Sequence, residues 1–213
     1  MTPDEIGQMF THADGSYLCA RWGRPIVPVV FGLQDEALAV VKGAIEAIVA
    51  LAGHQMAETD PELAANLMVF FIRDWEELPQ VPKLDQMIPG LAPLCARLIA
   101  VGANQYRTYR HDADGAIKAV FVFLRMDAHL AALPAADLAL AQAARVMLTW
   151  GEAAFATRPV LADAGGHVIL SPKVAGLIRA AYDPILPVAT RDPVHALRLA
   201  ARLAALGSPG GAD

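Results

Sequence analysis

A chain of 213 residues, 55% of them hydrophobic, is long enough to bury a large core, and one compact domain is the default for this length. Its formal charge is −5, and its lysines and arginines are scattered singly along the sequence. The basic patch of a nucleic-acid-binding surface is therefore not predicted, and nucleic acid is not an expected partner. The longest apolar stretch, residues 37–53, contains Lys42 and Glu46 and is shorter than a membrane span, so we expect no transmembrane helix.

The two ends of the chain give expectations about location and domain boundaries. The N-terminal segment "MTPDEIGQMF" has neither a basic region nor an apolar core, so no secretory signal is visible. We therefore expect a soluble cytoplasmic protein; a periplasmic location would require a signal that is missing from this sequence. Because no Gly-, Ser- or charge-rich linker interrupts it, residues 1–206 are predicted to form one α+β domain, and residues 207–213 to form a flexible tail.

Cysteines and charged residues are both scarce. Cys19 and Cys95 lie in apolar surroundings without CxxC spacing, which favours buried free thiols, and a disulfide between them is the alternative. Only 18% of the residues are charged, which leaves limited material for a fully charged surface. We expect a second copy of the chain to cover part of the apolar surface, and this predicts a homodimer.

The first predicted elements form a strand-to-helix unit. The segments "SYLCARW" and "IVPVVFG" are extended, with a break at residues 23–25 between them. Pro28 cannot donate to a ladder, which favours a strand start or an edge position. Residues 35–51 place apolar side chains at helical spacing, and Gly53 follows where a helix would terminate.

Two apolar runs are predicted to form the middle of a sheet. "NLMVFFIR", residues 66–73, and "AVFVFLR", residues 119–125, are too short for typical helices and are rich in Val, Ile and Phe, as strands covered on both faces are. Between the two runs, the positions of Pro89 and Pro93 indicate a short turn followed by a helix at about residues 91–101. Asp112 and Gly115 then lie between two extended runs, which predicts a hairpin.

The last third of the chain is predicted to be mainly helical. "DLALAQAARVMLTWGE", residues 137–152, indicates a long helix with a polar stripe of Gln142, Arg145 and Thr149. Ser171-Pro172 and Asp192-Pro193 mark two further helix starts, and Asp60-Pro61 resembles them. The sequence therefore predicts an α+β protein: a mixed sheet in the first 125 residues, packed against helices, and a helical C-terminal third.

Motifs for the common catalytic chemistries are missing. The six histidines include no HExxH pair, the three serines include no GxSxG, and neither GxGxxG nor a P-loop occurs. "HDADG" lacks the glutamate that a calcium loop needs at its twelfth position, where Phe123 stands. We predict no catalytic residue, no metal site and no cofactor, and we expect a binding or interaction domain. A hydrolase with an unrecognised active site is the alternative class.

Candidate ligand-binding residues come from two segments. Gln142 and Arg145 are three apart on one predicted helix face, and Tyr106 and Arg107 lie in the strand "NQYRTYR". Because a guanidinium recognises planar oxygen pairs, the four residues predict a site for a small anionic or carbonyl-bearing ligand. The alternatives are a sheet edge protected by charge and an ordinary solvated helix face.

Four segments in order resemble a proteobacterial lipoprotein family, the domain of unknown function 2927: "RWGRPIVPVVFG", "AANLMVFF", "LALAQAARVMLTWG" and "LIRAAYDPILP". The resemblance implies a zinc-protease-like layout in which a helix carries adjacent glutamates shortly before a glutamine. Gln142 matches the glutamine, but Leu138 and Ala139 stand where the carboxylates would be. Since neither side chain can act as a general base, the resemblance implies a degenerate, non-catalytic layout.

Overall fold

The computed structural model describes residues 1–207. Its strands are β1 (Cys19–Ala20), β2 (Pro28–Phe31), β3 (Leu67–Ile72), β4 (Gln105–His111), β5 (Ile117–Arg125), β6 (Leu161–Asp163), β7 (Val168–Leu170) and β8 (Ala189–Thr190). Its helices are α1 (Pro3–Met9), α2 (Asp35–Leu51), α3 (Leu84–Met87), α4 (Leu91–Ala100), α5 (Ala128–Ala131), α6 (Ala135–Arg145), α7 (Pro172–Ala181) and α8 (His195–Gly207). A 3-10 helix, Trp75–Gln80, precedes α3.

The central sheet has the strand order β2-β3-β5-β4. The first three strands are parallel, and β4 is antiparallel to β5 across the predicted hairpin. Pro28 begins β2 at one edge of this sheet, where its missing N–H costs no ladder bond. With helices α5 to α8 following the sheet, the predicted α+β class with a mixed sheet and a helical C-terminal third is confirmed.

Helices cover both faces of the sheet, which explains why β3 and β5 are continuous apolar runs. Val120, Val122 and Leu124 of β5 lie on the face that packs against α2 and α6. Phe121 and Phe123 lie on the opposite face, against α4 and the 3-10 helix. The predicted burial of both strands is therefore confirmed, and β3, Leu67–Ile72, lies within the predicted run of residues 66–73.

An aromatic row crosses the second face from edge to edge. Phe31, Phe70, Phe123 and Tyr106 are register partners on β2, β3, β5 and β4. Their successive ring centroids are 4.6, 5.0 and 6.5 Å apart, and each pair is stacked. The row fixes the register of all four strands on the face that α4 covers.

Some predicted helix boundaries are correct and others are wrong. Helix α2 spans the predicted residues, and α4 ends one residue early. Asp60-Pro61 does not start a helix, because the Asp60 carboxylate accepts the backbone N–H groups of Glu62 and Leu63 in a tight turn. Helix α8 begins at His195, and Ser171 precedes α7 without a side-chain cap bond.

Helix α6 ends at Arg145, seven residues before the predicted end at Glu152, so Thr149 is not on it. Aromatic side chains donate hydrogen bonds to the backbone carbonyl groups at this end of the helix. Tyr109 Oη donates to Arg145 O (2.9 Å), and Trp22 Nε1 donates to Val146 O (2.8 Å). Tyr182 Oη donates to Met147 O (2.9 Å). These donors replace the intrahelical bonds that a longer helix would make, and the chain turns after Arg145 before Leu148 forms a bridge with Arg21.

The structure also bears on the two cysteines, on the C-terminal end of the chain and on the expected absence of a membrane-spanning helix. Cys19 and Cys95 are both free and buried, in core clusters on opposite faces of the sheet, which confirms the free-thiol prediction. Gly207, where the predicted tail begins, is the last residue of α8, and residues 208–213 lie outside the described part of the chain. Within residues 1–207, no helix combines the length and apolar character needed to cross a bilayer.

Candidate functional site

A cleft of about 390 Å³ opens between α6 and the β6–β7 hairpin, beside the first residue of β4. Gln105 pairs with Leu124 near the C-terminal end of β5, so the cleft lies at the carboxyl edge of the parallel strands. That edge is where open sheets of this kind usually bind ligands. The polar residues that line the cleft are Gln105, His129, Asp137, Gln142, Arg145 and Asp163.

Gln142 is held by a side-chain hydrogen-bond chain that links β4 to α6. Arg107 Nη2 donates to Gln142 Oε1, and Gln142 Nε2 donates to Gln105 Oε1 (2.8 Å). Gln142 is 7% exposed, whereas Gln105 is exposed at the cleft. The structure therefore brings Arg107, Gln142 and Arg145 together, as the sequence suggested, with Gln142 fixed in one orientation.

Arg145 lines the cleft in the last turn of α6. Its guanidinium carbon lies 4.5 Å from the centroid of the Phe155 ring. Burial, together with the nearby charge of Arg107, lowers the pKa of Arg145 to about 10, so the side chain is still protonated at neutral pH. Across residues 1–207, no carboxylate pairs with this guanidinium and no side-chain or backbone acceptor bonds it.

Arg107 adds a second positive charge behind Arg145. Burial lowers the pKa of Arg107, and its Nε atom is shielded from solvent without a hydrogen-bond partner in the described chain. Like Arg145, it has no carboxylate partner among residues 1–207. Two neighbouring guanidinium groups without a counter-ion make this end of the cleft strongly electropositive.

Tyr106, the fourth predicted site residue, lies elsewhere. It stacks on Phe123 at the end of the aromatic row, on the face opposite α6, because alternate residues of β4 point to opposite faces. Tyr109 is the phenol on the Arg107 side, and its hydroxyl donates to Arg145 O and Leu148 O (2.9 and 3.1 Å). Burial raises the pKa of Tyr109 to about 12, so it stays a neutral donor.

Two acidic residues of the cleft were missed from the sequence. Asp137 lies in the first turn of α6 and Asp163 ends β6. The sequence does indicate the hairpin that carries Asp163. Gly165 and Gly166, both with positive φ (68° and 87°), form the turn between its two extended runs. Asp137 is eight residues before Arg145, and both side chains line the cleft.

The described structure offers few side-chain groups that could bind a metal ion or take part in catalysis. Among residues 1–207, no group of three or more His, Cys, Asp or Glu side chains is placed to hold a metal ion. Leu138 and Ala139, where the family resemblance would place carboxylates, are buried and pack in the core. No family model matches the chain, and neither a curated protein nor a solved structure matches it.

Replacement of Arg145 by methionine is expected to raise the free energy of unfolding by about 1 kcal/mol, because it removes a desolvated charge next to Arg107 and keeps apolar contact with Phe155. Urea denaturation followed by circular dichroism measures this. Arg97→Met, at an exposed position on α4, is the matched control and should change stability by less than about 0.5 kcal/mol. A loss of stability in Arg145→Met would contradict the expectation.

Proposed function

We propose that this protein is a non-catalytic binding domain whose cleft takes a small carboxylate, or another planar oxyanion, on Arg145. The supporting observation is the Arg145 guanidinium itself: desolvated, next to Arg107, and with no hydrogen-bond or ion-pair partner in residues 1–207. A bound carboxylate would supply the missing counter-ion and accept two parallel N–H bonds from the fork of the guanidinium.

Gln142 and Gln105 support the same proposal from the side of the cleft. Arg107 donates a hydrogen bond to the side-chain carbonyl oxygen of Gln142. The amide nitrogen of Gln142 therefore faces Gln105 and the cleft. An amide held in this way offers a further N–H donor to an oxyanion at little conformational cost. Arg107 therefore acts as a positioning residue, whereas Arg145 would contact the ligand.

The competing hydrolase hypothesis has three side chains in this cleft that could act as an acid or a base, His129, Asp137 and Asp163, but no side-chain nucleophile among the described residues. Of the side chains that line it in the described structure, none carries a hydroxyl or a thiol that could attack a substrate. Leu138 and Ala139 cannot act as general bases, and this fits a degenerate relative of the domain of unknown function 2927, a membership that stays a prediction.

We also propose that the protein forms a homodimer and is located in the cytoplasm. Large apolar side chains at the start of α8 and just before β8, namely Val194, Leu197 and Ile185, are 52, 56 and 77% exposed, which a second copy of the chain could cover. The two free thiols fit a reducing compartment.

The binding proposal is tested by thermal unfolding of the parent protein, Arg145→Met and Arg97→Met in rising concentrations of acetate, hexanoate and inorganic phosphate. A ligand that binds only the native state raises its stability, by about 2.7 kcal/mol at a hundred times its Kd. We expect at least one carboxylate to raise the Tm of the parent and of Arg97→Met, but not of Arg145→Met. Equal responses in all three proteins, or no response in any, would refute the proposal.

A further inference from the structure

We infer that the ligand of this cleft is a linear zwitterion, with a carboxylate on Arg145 and an ammonium group, several carbon atoms away, between Asp137 and Asp163. The inference rests on the proposed function and specifies its ligand class. It follows from three features of the cleft: a basic end, an acidic end, and an apolar stretch between them.

The acidic end has unpaired charges, as the basic end does. Asp137 is partly buried and Asp163 is exposed, and neither forms an ion pair with a Lys or Arg among residues 1–207. Asp163 Oδ1 accepts the N–H of Gly166 (2.8 Å), which fixes the carboxylate at the start of the hairpin turn. Two carboxylates from different elements that line one cleft are a natural binding site for a primary ammonium group.

The separation of the two ends favours an extended ligand. Asp137 and Arg145 are eight residues apart on α6, which corresponds to roughly 12 Å along the helix axis. A ligand that contacts both residues therefore needs its two charged groups at opposite ends of an extended chain, whereas the two charges of an α-amino acid are joined through a single carbon atom. Ala141, which lies between the ends on the same face, has too short a side chain to block this path.

Apolar side chains line much of the cleft and fit a methylene chain. Leu138 lies between Asp137 and Arg145 on α6, and Leu133, Leu161 and Val168 also line the cleft. Removing methylene groups from water against these side chains is favourable, whereas a polar chain would lose its hydration there. The same layout selects against dicarboxylates, because their second charge would lie beside Asp137 and Asp163.

Isothermal titration calorimetry of the full chain tests the inference with four probes: ω-aminohexanoate, hexanoate, adipate and glycine. We expect ω-aminohexanoate to bind about tenfold or more tightly than hexanoate, as a hydrogen-bonded charge pair contributes, and adipate and glycine to bind more weakly than either. The double variant Asp137→Asn/Asp163→Asn should bind ω-aminohexanoate no better than hexanoate. Asp85→Asn, in the first turn of α3, is the matched control and should bind like the parent.

The outcomes separate the inference from the proposed function. If hexanoate binds as tightly as ω-aminohexanoate through Arg145, or if the double Asp variant retains the preference for the amine, the zwitterion is wrong and the carboxylate site stands. If neither probe binds the parent, or if both still bind Arg145→Met with parental affinity, the proposed function fails and the zwitterion with it.

Discussion

Replacement of Asn66 by leucine should lower the free energy of unfolding by about 3 kcal/mol, the cost of leaving several buried polar groups without partners. Asn66 is fully buried where the chain enters β3. Its Oδ1 accepts the N–H of Val27 (2.7 Å), and its Nδ2 donates to Pro25 O (2.9 Å) and to Asp60 Oδ2 (3.0 Å). Leucine has a similar volume but satisfies none of these groups.

Urea denaturation of Asn66→Leu, compared with Asn104→Leu, measures this loss. Asn104 is only partly buried, and its side chain donates a single bond, to Asp127 Oδ2 (3.0 Å), so its replacement should cost about 1 kcal/mol. If Asn66→Leu proves no more destabilising than Asn104→Leu, the hydrogen bonds of Asn66 do not hold the start of β2 and β3 together.

The second large effect is expected from Phe123→Ala, which should cost about 4 kcal/mol, in the range for a buried aromatic residue replaced by alanine. Phe123 is fully buried and lies inside the aromatic row, where its ring stacks between Phe70 and Tyr106. Its loss leaves a cavity that the surrounding strands cannot fill, because ladder hydrogen bonds fix their spacing.

Phe31→Ala is the control for this prediction, since Phe31 ends the same row at the other edge and is 44% exposed. Its replacement should cost about 1 kcal/mol, because less apolar surface is lost and water can fill the space. Chemical denaturation of both variants gives the comparison. Equal losses at the two positions would show that the row is not packed as described.

Local patterns were sufficient to predict the sheet and several helices. The continuous apolar runs at residues 67–72 and 119–124 are short and rich in Val, Ile and Phe, which favours strands covered on both faces. The helical spacing of residues 35–51 predicted α2 with its correct ends. The end of α6 was not predictable in this way. The side chains that end it, Trp22, Tyr109 and Tyr182, are distant in sequence.

Local sequence patterns also predicted only part of the candidate site. The predicted pairing of Tyr106 with Arg107 is wrong, because adjacent residues of β4 point to opposite faces, and Tyr109 is the phenol on the Arg107 face. Gln142 and Arg145 were predicted as neighbours from helical spacing, whereas their closeness to Arg107 was expected only from the layout that the family resemblance implies. Asp163 was missed because only the tertiary fold brings the β6–β7 hairpin to the cleft.

The central claim is that a carboxylate binds to the guanidinium of Arg145, and NMR observes that group directly. In a titration with hexanoate, we expect the Nε–H signal of Arg145 and the side-chain amide signals of Gln142 and Gln105 to shift together and to saturate with one Kd. The Nε–H signal of Arg97, on the other face of the sheet, should stay in place. An Arg145 signal that does not move while hexanoate is demonstrably bound, or equal shifts at Arg97, would contradict the account.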